Sequence, residues 1–254
     1  MTLCKTTDLV QKVRFFTDPA SQPAVVRGVH SGLATYLEER KIIVEQEDHP
    51  WQDLCREYIA SCIKYYSWMR DWSKKEEQSD WEITLQKILA EFQERKEIMY
   101  SDFFEFFIPQ RYKPSRRSLN KAHLDIIISP MFYWANWETF LGVTLKTRTR
   151  PYRIHVMGIF DQYLSGETEK ELTQRAVALA YHEATHLEQA AHCPQQECIY
   201  SSSNGGDLPR LDALFQRYQT TGRFPKCNEH EDRVSRAVAE GIIFVDDRRK
   251  PEIE

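Results

Sequence analysis

The sequence predicts an α+β protein that is mostly helical, in which a helical N-terminal region is followed by a small sheet and one long helix. Three observations predict this class. Apolar residues recur at helical three- and four-residue spacing over residues 25–107. Short β-branched and aromatic segments, interrupted by proline and glycine, follow over residues 123–160. A stretch without glycine or proline then covers residues 168–191, which indicates a helix.

The composition is that of an ordinary globular chain. The 254 residues include 34 Lys and Arg and 38 Asp and Glu, which gives a formal net charge of −4, and 41% are hydrophobic. This balance excludes a disordered or collagen-like chain and argues against a dedicated nucleic-acid binder. No apolar run approaches the roughly 20 residues of a membrane helix, so no membrane span is predicted.

The N-terminus lacks a basic start followed by an apolar core. We therefore predict no secretory signal and a cytoplasmic location, with secretion by a signal-independent route left open. The six cysteines are then expected to be reduced thiols or metal ligands rather than a disulfide framework.

In the N-terminal half the pattern predicts three helices, at residues 29–44, at residues 51–72, and from Asp80 to the aromatic segment at residues 100–107. Five basic and no acidic residues then lie within residues 111–121. We interpret this segment as a linker. The predicted organisation is therefore a helical region at 1–110, a basic linker at 111–122 and a C-terminal domain at 123–254.

Strands are predicted at residues 123–129, 141–147 and 152–160, and they precede the long helix at 168–191. Thr168 and Glu171 have the spacing of a capping box at the start of that helix. The chain then predicts a short helix at 211–218, a turn at Gly222 and a final helix at 229–239.

The long helix contains a His-Glu-x-x-His motif, formed by His182, Glu183 and His186. Four residues at 3.6 per turn correspond to a rotation of roughly 400°, so the two histidines lie about 40° apart on one helix face and can hold one metal ion. Glu183 stands beside them, where it can take a proton from a metal-bound water. The motif therefore predicts a catalytic metal site.

At these residues the chain resembles the zincin metallopeptidases over about residues 121–245. The resemblance implies a helix lying beneath a small sheet, a zinc cofactor, and a peptide or protein as substrate. It also implies that strand 152–160 is the sheet edge and binds an extended peptide by strand addition.

A catalytic zinc takes three protein ligands, so a third ligand is expected. In the gluzincin branch a downstream helix supplies a glutamate, and Glu231 is our preferred candidate, because it shares a helix face with Val234 and Val238 and should point to the core. Glu229 is an alternative, although its helical neighbours describe a solvated face.

His192 is a second alternative, because its spacing after the motif is that of the metzincin branch. That branch has glycine where this chain has Gln189, and the glycine lets the chain leave the helix in a left-handed conformation. If the helix continues through Gln189, His192 lies roughly 80° to the wrong side of His182.

A weaker, partial resemblance to archaemetzincins involves the cysteines, because His192 is followed by Cys193 and, after four residues, by Cys198. Tyr200 stands where that family has methionine. The resemblance implies an additional zinc site, which Cys227 and His230 would complete; the alternative is a set of reduced, partly buried thiols.

Zincins also use a tyrosine or histidine to stabilise the oxyanion, and the candidates here are Tyr200, Tyr218 and His230. The sequence thus predicts a zinc-dependent peptidase in which Glu183 is the general base. Two other functions stay open. One is a non-catalytic zincin-fold binding module, with the groove filled by residues 100–107. The other is an effector- or toxin-type protease for a single protein, selected through the basic segments 111–121 and 146–153.

Overall fold

The fold combines a mixed five-stranded sheet with helices packed on it, in a computed structural model. The structure describes residues 10–54, 98–100, 122–130, 132–135, 138–146, 154–160, 164–188, 192–201 and 207–240. In chain order the elements are β1 (Val10–Thr17), α1 (Pro23–Glu39), β2 (Glu45–His49), β3 (Ile98–Tyr100), β4 (Ala122–Ser129), β5 (Phe132–Ala135), β6 (Glu138–Phe140), β7 (Gly142–Lys146), β8 (Ile154–Phe160), α2 (Glu169–Thr185), α3 (Leu208–Thr221) and α4 (Asn228–Glu240). The predicted α+β class is confirmed.

The main sheet has the strand order β2-β1-β4-β8-β7. Its first four strands run parallel, and β7 is antiparallel to β8. A second sheet has the order β3-β5-β6, with a parallel and an antiparallel pairing. The connection from β1 through α1 to β2 is a βαβ unit, so α1 lies against the sheet next to the helix that carries the motif.

The core lies between the main sheet and the helices. Val13, Phe15, Ile126 and Met157 supply the sheet side of it, at alternating strand positions. α1 and α2 approach closely, because a Cβ at Gly32 would lie only 2.4 Å from the carbonyl oxygen of Val177. The two helices are therefore packed backbone to backbone, which holds the motif helix firmly on the fold.

The helical prediction for the N-terminal region is wrong at three places, because residues 10–17 and 45–49 form strands of the main sheet and residues 98–100 form a strand of the second sheet. The helix predicted at 29–44 is α1, which begins at Pro23 and ends at Glu39. It stops where Lys41 adopts a left-handed φ of 55°. Strand β2 has no apolar alternation to signal it, and the ion pair between Lys12 and Glu47 links it to β1.

Other predictions for this half lie largely outside the described residues. Residues 51–54 are helical, at the start of the second predicted helix. Residues 80–97 of the helix predicted from Asp80, the aromatic segment beyond Tyr100 and the linker before Ala122 are not among the described residues. β1 and α1 nevertheless belong to the same sheet and core as the elements after the linker.

The three strands predicted in the C-terminal half are confirmed as β4, β7 and β8. The edge assignment is wrong: β8 lies between β4 and β7, and β7 is the strand at that end of the sheet. β8, which is longer and more apolar than β7, is paired on both edges and occupies the interior position.

The motif helix begins with the predicted capping box. The Thr168 hydroxyl accepts from the Glu171 backbone N–H at 3.2 Å, and the Glu171 carboxylate accepts from the Thr168 backbone N–H at 3.2 Å. The regular helix ends earlier than predicted, at Thr185, and one 3₁₀ turn, His186–Glu188, follows it. α3 and α4 match the two predicted C-terminal helices, and Gly222 ends α3 with φ 73°. Among the described residues, no helix is long and apolar enough to span a membrane.

Candidate metal centres

His182 is held rigidly near the C-terminal end of α2. Its side chain is buried, and its Nδ1 donates to the backbone carbonyl of Ile199 at 2.7 Å. Burial lowers the pKa of His182 to about 4, so the imidazole is neutral. With Nδ1 carrying the proton, Nε2 presents its lone pair, which is the arrangement that orients a metal-binding histidine.

Two further histidines converge on this nitrogen. His186 and His192 place their Nε2 atoms 3.3 Å apart, and the ligand atoms of all three histidines lie within 4.8 Å of one another. At a Zn–N distance of about 2.05 Å, two ligands of a tetrahedral zinc stand roughly 3.3 Å apart. The three histidines therefore fit a zinc ion. We call this group the histidine cluster.

The early end of α2 explains how His192 reaches the cluster. A helix continuing to residue 191 would carry His192 away from His182, but the regular helix stops at Thr185 and the 3₁₀ turn winds more tightly. Gln189, where a left-handed residue was expected to be needed, lies outside the described residues.

Glu231 does not join the histidines, and the prediction that it faces the core is wrong. Its side chain is 50% exposed and lies 4.0 Å from the Arg223 guanidinium. The buried face of α4 is formed instead by His230, Arg233 and Val234. This face is rotated by one residue from the predicted one, so the acids of the first turn, including Glu229, point to solvent.

Glu183 is buried against the edge strand β7. The Thr144 hydroxyl lies 2.9 Å from its Oε2 and 2.8 Å from its backbone carbonyl, and a Cβ at Gly142 would lie 2.6 Å from its Oε1. Burial raises the pKa of Glu183 to about 8, and the Thr144 hydroxyl opposes that rise. The edge strand thus fixes where this carboxylate stands.

The four predicted residues of the second site also come together. The ligand atoms of Cys193, Cys198, Cys227 and His230 lie within 4.8 Å of one another, and Cys193 Sγ is 3.8 Å from Cys227 Sγ. Two thiolates on a tetrahedral zinc stand about 3.8 Å apart, given Zn–S of about 2.3 Å. A disulfide would need about 2.05 Å. We call this group the cysteine cluster.

The remaining distances and the burial of the cysteine cluster suit a metal as well. His230 Nδ1 lies 2.8 Å from Cys227 Sγ and 3.8 Å from Cys198 Sγ. Burial raises the pKa of Cys198 to about 12 and also raises that of Cys193. These shifts favour the protonated thiols, so zinc binding would have to displace their protons. The fit of this donor set to zinc lies in three sulfur atoms and one imidazole nitrogen at suitable distances.

The two tyrosines predicted to stabilise the oxyanion make their hydrogen-bond contacts with α1 and with Arg40, the residue that follows it. The Tyr200 hydroxyl accepts from Arg40 Nη2 at 3.0 Å, and its ring stacks on His230 at 4.1 Å. The Tyr218 hydroxyl lies 3.5 Å from Thr35 Oγ1.

Sequence reasoning missed the groups that support the site. These are the Ile199 carbonyl, Gly142 and Thr144. In the sequence, Gly142 indicates only a break between strands, and a backbone carbonyl has no sequence signal. The alternation of Gly142 and Thr144 on one face of a strand was the one available sign of a close approach.

Comparisons with known proteins give fold-level likeness only. No protein-family model and no curated protein matches the sequence. The structure is similar to that of an archaemetzincin from Methanopyrus kandleri, with 12% identity, a TM-score of 0.48, and coverage of 94% of this chain and 99% of that one. It is also similar to a zinc-dependent peptidase from Methanocorpusculum labreanum, with 14% identity, a TM-score of 0.42, and coverage of 87% and 99%. The assignment of site residues rests on the geometry of this chain.

Proposed function

We propose that this chain is a zinc-dependent peptidase in which His182, His186 and His192 hold the catalytic metal and Glu183 is the general base. One observation carries the proposal. Three histidine nitrogens converge with spacing that suits a tetrahedral zinc, and Glu183, the residue next to His182, is a buried carboxylate held against edge strand β7. Three protein ligands are the number that leaves a coordination position for water.

Each group has a distinct task. His182 is kept in the ligand tautomer by the Ile199 carbonyl. A zinc ion held there would supply acidification of water and polarisation of the scissile carbonyl. Glu183 would accept a proton from the attacking water and donate it to the leaving amine. Burial alone favours the neutral form of Glu183, and a cation held by the histidine cluster would favour its ionised form, which is the form that accepts a proton.

A peptide is the substrate class that the surroundings favour. Within the part of the chain that the structure describes, β7 has a strand neighbour on one side only. Its other edge can pair with an extended backbone, which would lie next to Glu183 because Thr144 of β7 contacts that carboxylate.

For the cysteine cluster we propose a structural zinc held by all four side chains. A closed set of four protein ligands is the pattern of a structural rather than a catalytic site. Its role would be to tie the segment that carries Cys193 and Cys198 to Cys227 and His230 at the start of α4.

The test is the substitution Glu183→Gln. Loss of the general base should lower peptide hydrolysis by about 10²- to 10⁴-fold while zinc content stays unchanged. The matched control is Glu169→Gln on the same helix, at an exposed position paired with Arg27; it should keep both activity and zinc. Undiminished hydrolysis by Glu183→Gln would refute the mechanism, whereas the absence of hydrolysis by the zinc-loaded, unaltered chain would favour a non-catalytic binding module.

A further inference from the structure

We propose that the two clusters are energetically coupled through residues 192–201, so that filling the cysteine cluster tightens metal binding at the histidine cluster. We call these residues the shared segment. The inference rests on the proposed metal sites and goes beyond them, because it assigns a positioning role to the cysteine cluster in holding the catalytic metal.

The first link is covalent. His192 and Cys193 are neighbours in the chain, and each belongs to a different cluster. Their Cα atoms are about 3.8 Å apart across one peptide bond. Fixing the Cys193 thiolate therefore fixes the backbone from which the His192 ring extends. His192 itself is exposed, so little protein packing would hold it otherwise.

The second link is a hydrogen bond from the other end of the shared segment. Cys198 belongs to the cysteine cluster, and the next residue, Ile199, offers the carbonyl that accepts from His182 Nδ1 at 2.7 Å. Moving Cys198 would move that carbonyl and release the buried imidazole from its ligand orientation. Cys198 and Ile199 are thus positioning residues for the catalytic metal, since neither has a side chain in the histidine cluster.

The two links are tied to each other and to the remaining ligands. Cys193 N–H donates to the Tyr200 carbonyl at 2.9 Å, which closes the segment on itself. Ile199 N–H donates to the Pro225 carbonyl at 2.8 Å, just before Cys227. The segment contains no regular helix or strand. Ile199 and Tyr200 are packed in the core, whereas residues 192–197 are exposed apart from Cys193, so the order of this exposed part depends on these few bonds and on the cluster.

The coupling follows from shared ordering. A metal that binds either cluster must order the same backbone, and the second metal then binds a segment that is already ordered. The effect must be reciprocal: each site changes the affinity of the other by the same factor. Couplings of this kind span about 5- to 150-fold in affinity.

The experiment is a Co²⁺ titration of the full chain after chelation and dialysis. Thiolate-to-cobalt charge transfer reports the cysteine cluster, and the visible ligand-field bands without that charge transfer report the histidine cluster. The test variant is Cys227→Ala, because Cys227 lies outside the shared segment. We expect its histidine cluster to bind Co²⁺ at least about fivefold more weakly than in the unaltered chain.

Two controls separate coupling from general damage. Glu197→Gln changes the shared segment itself at an exposed side chain paired with Arg217, and should leave both affinities unchanged. Cys227→His keeps a zinc-binding side chain at the position, and should restore most of the histidine-cluster affinity.

The reciprocal measurement uses His186→Gln, at a half-buried position outside the shared segment. It should weaken Co²⁺ binding at the cysteine cluster by the same factor. Unchanged affinity of the histidine cluster in folded Cys227→Ala, or of the cysteine cluster in His186→Gln, overturns the coupling and leaves the proposed peptidase intact. An unaltered chain whose histidine cluster takes up no Co²⁺ overturns both.

Discussion

Replacing Gly142 by alanine should disable the general base without touching a metal ligand. The new Cβ would lie 2.6 Å from Glu183 Oε1, 2.7 Å from its Cγ and 2.8 Å from its Cδ. Ordinary carbon contacts begin near 3.5 Å, so the carboxylate must move by roughly 1 Å. Movement into the protein is blocked because Glu183 is buried on α2.

A misplacement of about 1 Å at a reacting group costs on the order of 100-fold in rate, which is about 2.7 kcal/mol of activation free energy. We therefore expect Gly142→Ala to hydrolyse a pooled library of internally quenched peptides about 100-fold more slowly, with zinc content unchanged. Gly166→Ala is the matched control, because its Cβ would approach no atom closer than 3.1 Å, at Leu172. A Gly142→Ala protein with full activity would refute the placement of the base against β7.

Three further changes test the packing around the site. Glu39→Gln should lower the free energy of unfolding in urea by about 3–5 kcal/mol, because Glu39 lies 2.5 Å from Lys226 and 3.4 Å from Arg40, whose cationic side chains are 1% and 0% exposed. Gly32→Ala should cost about 1–3 kcal/mol in the same assay by forcing α1 from α2. Burial lowers the pKa of His30, and the negative charge of Asp48 opposes that shift. His30 therefore binds a proton less readily in the folded chain than in the unfolded chain, where it is protonated below about pH 6.5. Stability should therefore fall on acidification, and thermal unfolding of His30→Gln should show a smaller fall between about pH 7 and pH 5.

Much of the fold and the motif could be predicted because their signals are local. The capping box at Thr168 marked the start of α2, and the positions of His182, Glu183 and His186 followed from helical periodicity. The cysteine cluster could be predicted as a set because its ligands form two pairs that are close in sequence, Cys193 with Cys198 and Cys227 with His230. Strand β2 could not, because its five residues are polar and it is held by pairing with β1.

From the sequence, Glu231 was preferred to His192, the third ligand proposed here, for a physical reason. Preferring His192 would have required knowing where α2 ends and how α4 is rotated, and no glycine or proline marks the end of α2 between residues 168 and 191. Tertiary packing decides both, since α4 buries His230 and Val234 and so turns Glu231 outward. A one-residue rotation of a helix changes which side chain faces a site, and periodicity alone does not resolve it.

The zinc content of two variants tests the central claim most directly. The chain, His192→Gln and Glu231→Gln would be purified without added metal and measured by elemental mass spectrometry, with protein quantified in the same samples. The account predicts that Glu231→Gln keeps the zinc of the unaltered chain, while His192→Gln loses the zinc of the histidine cluster. Loss of zinc in Glu231→Gln together with full zinc in His192→Gln would contradict it.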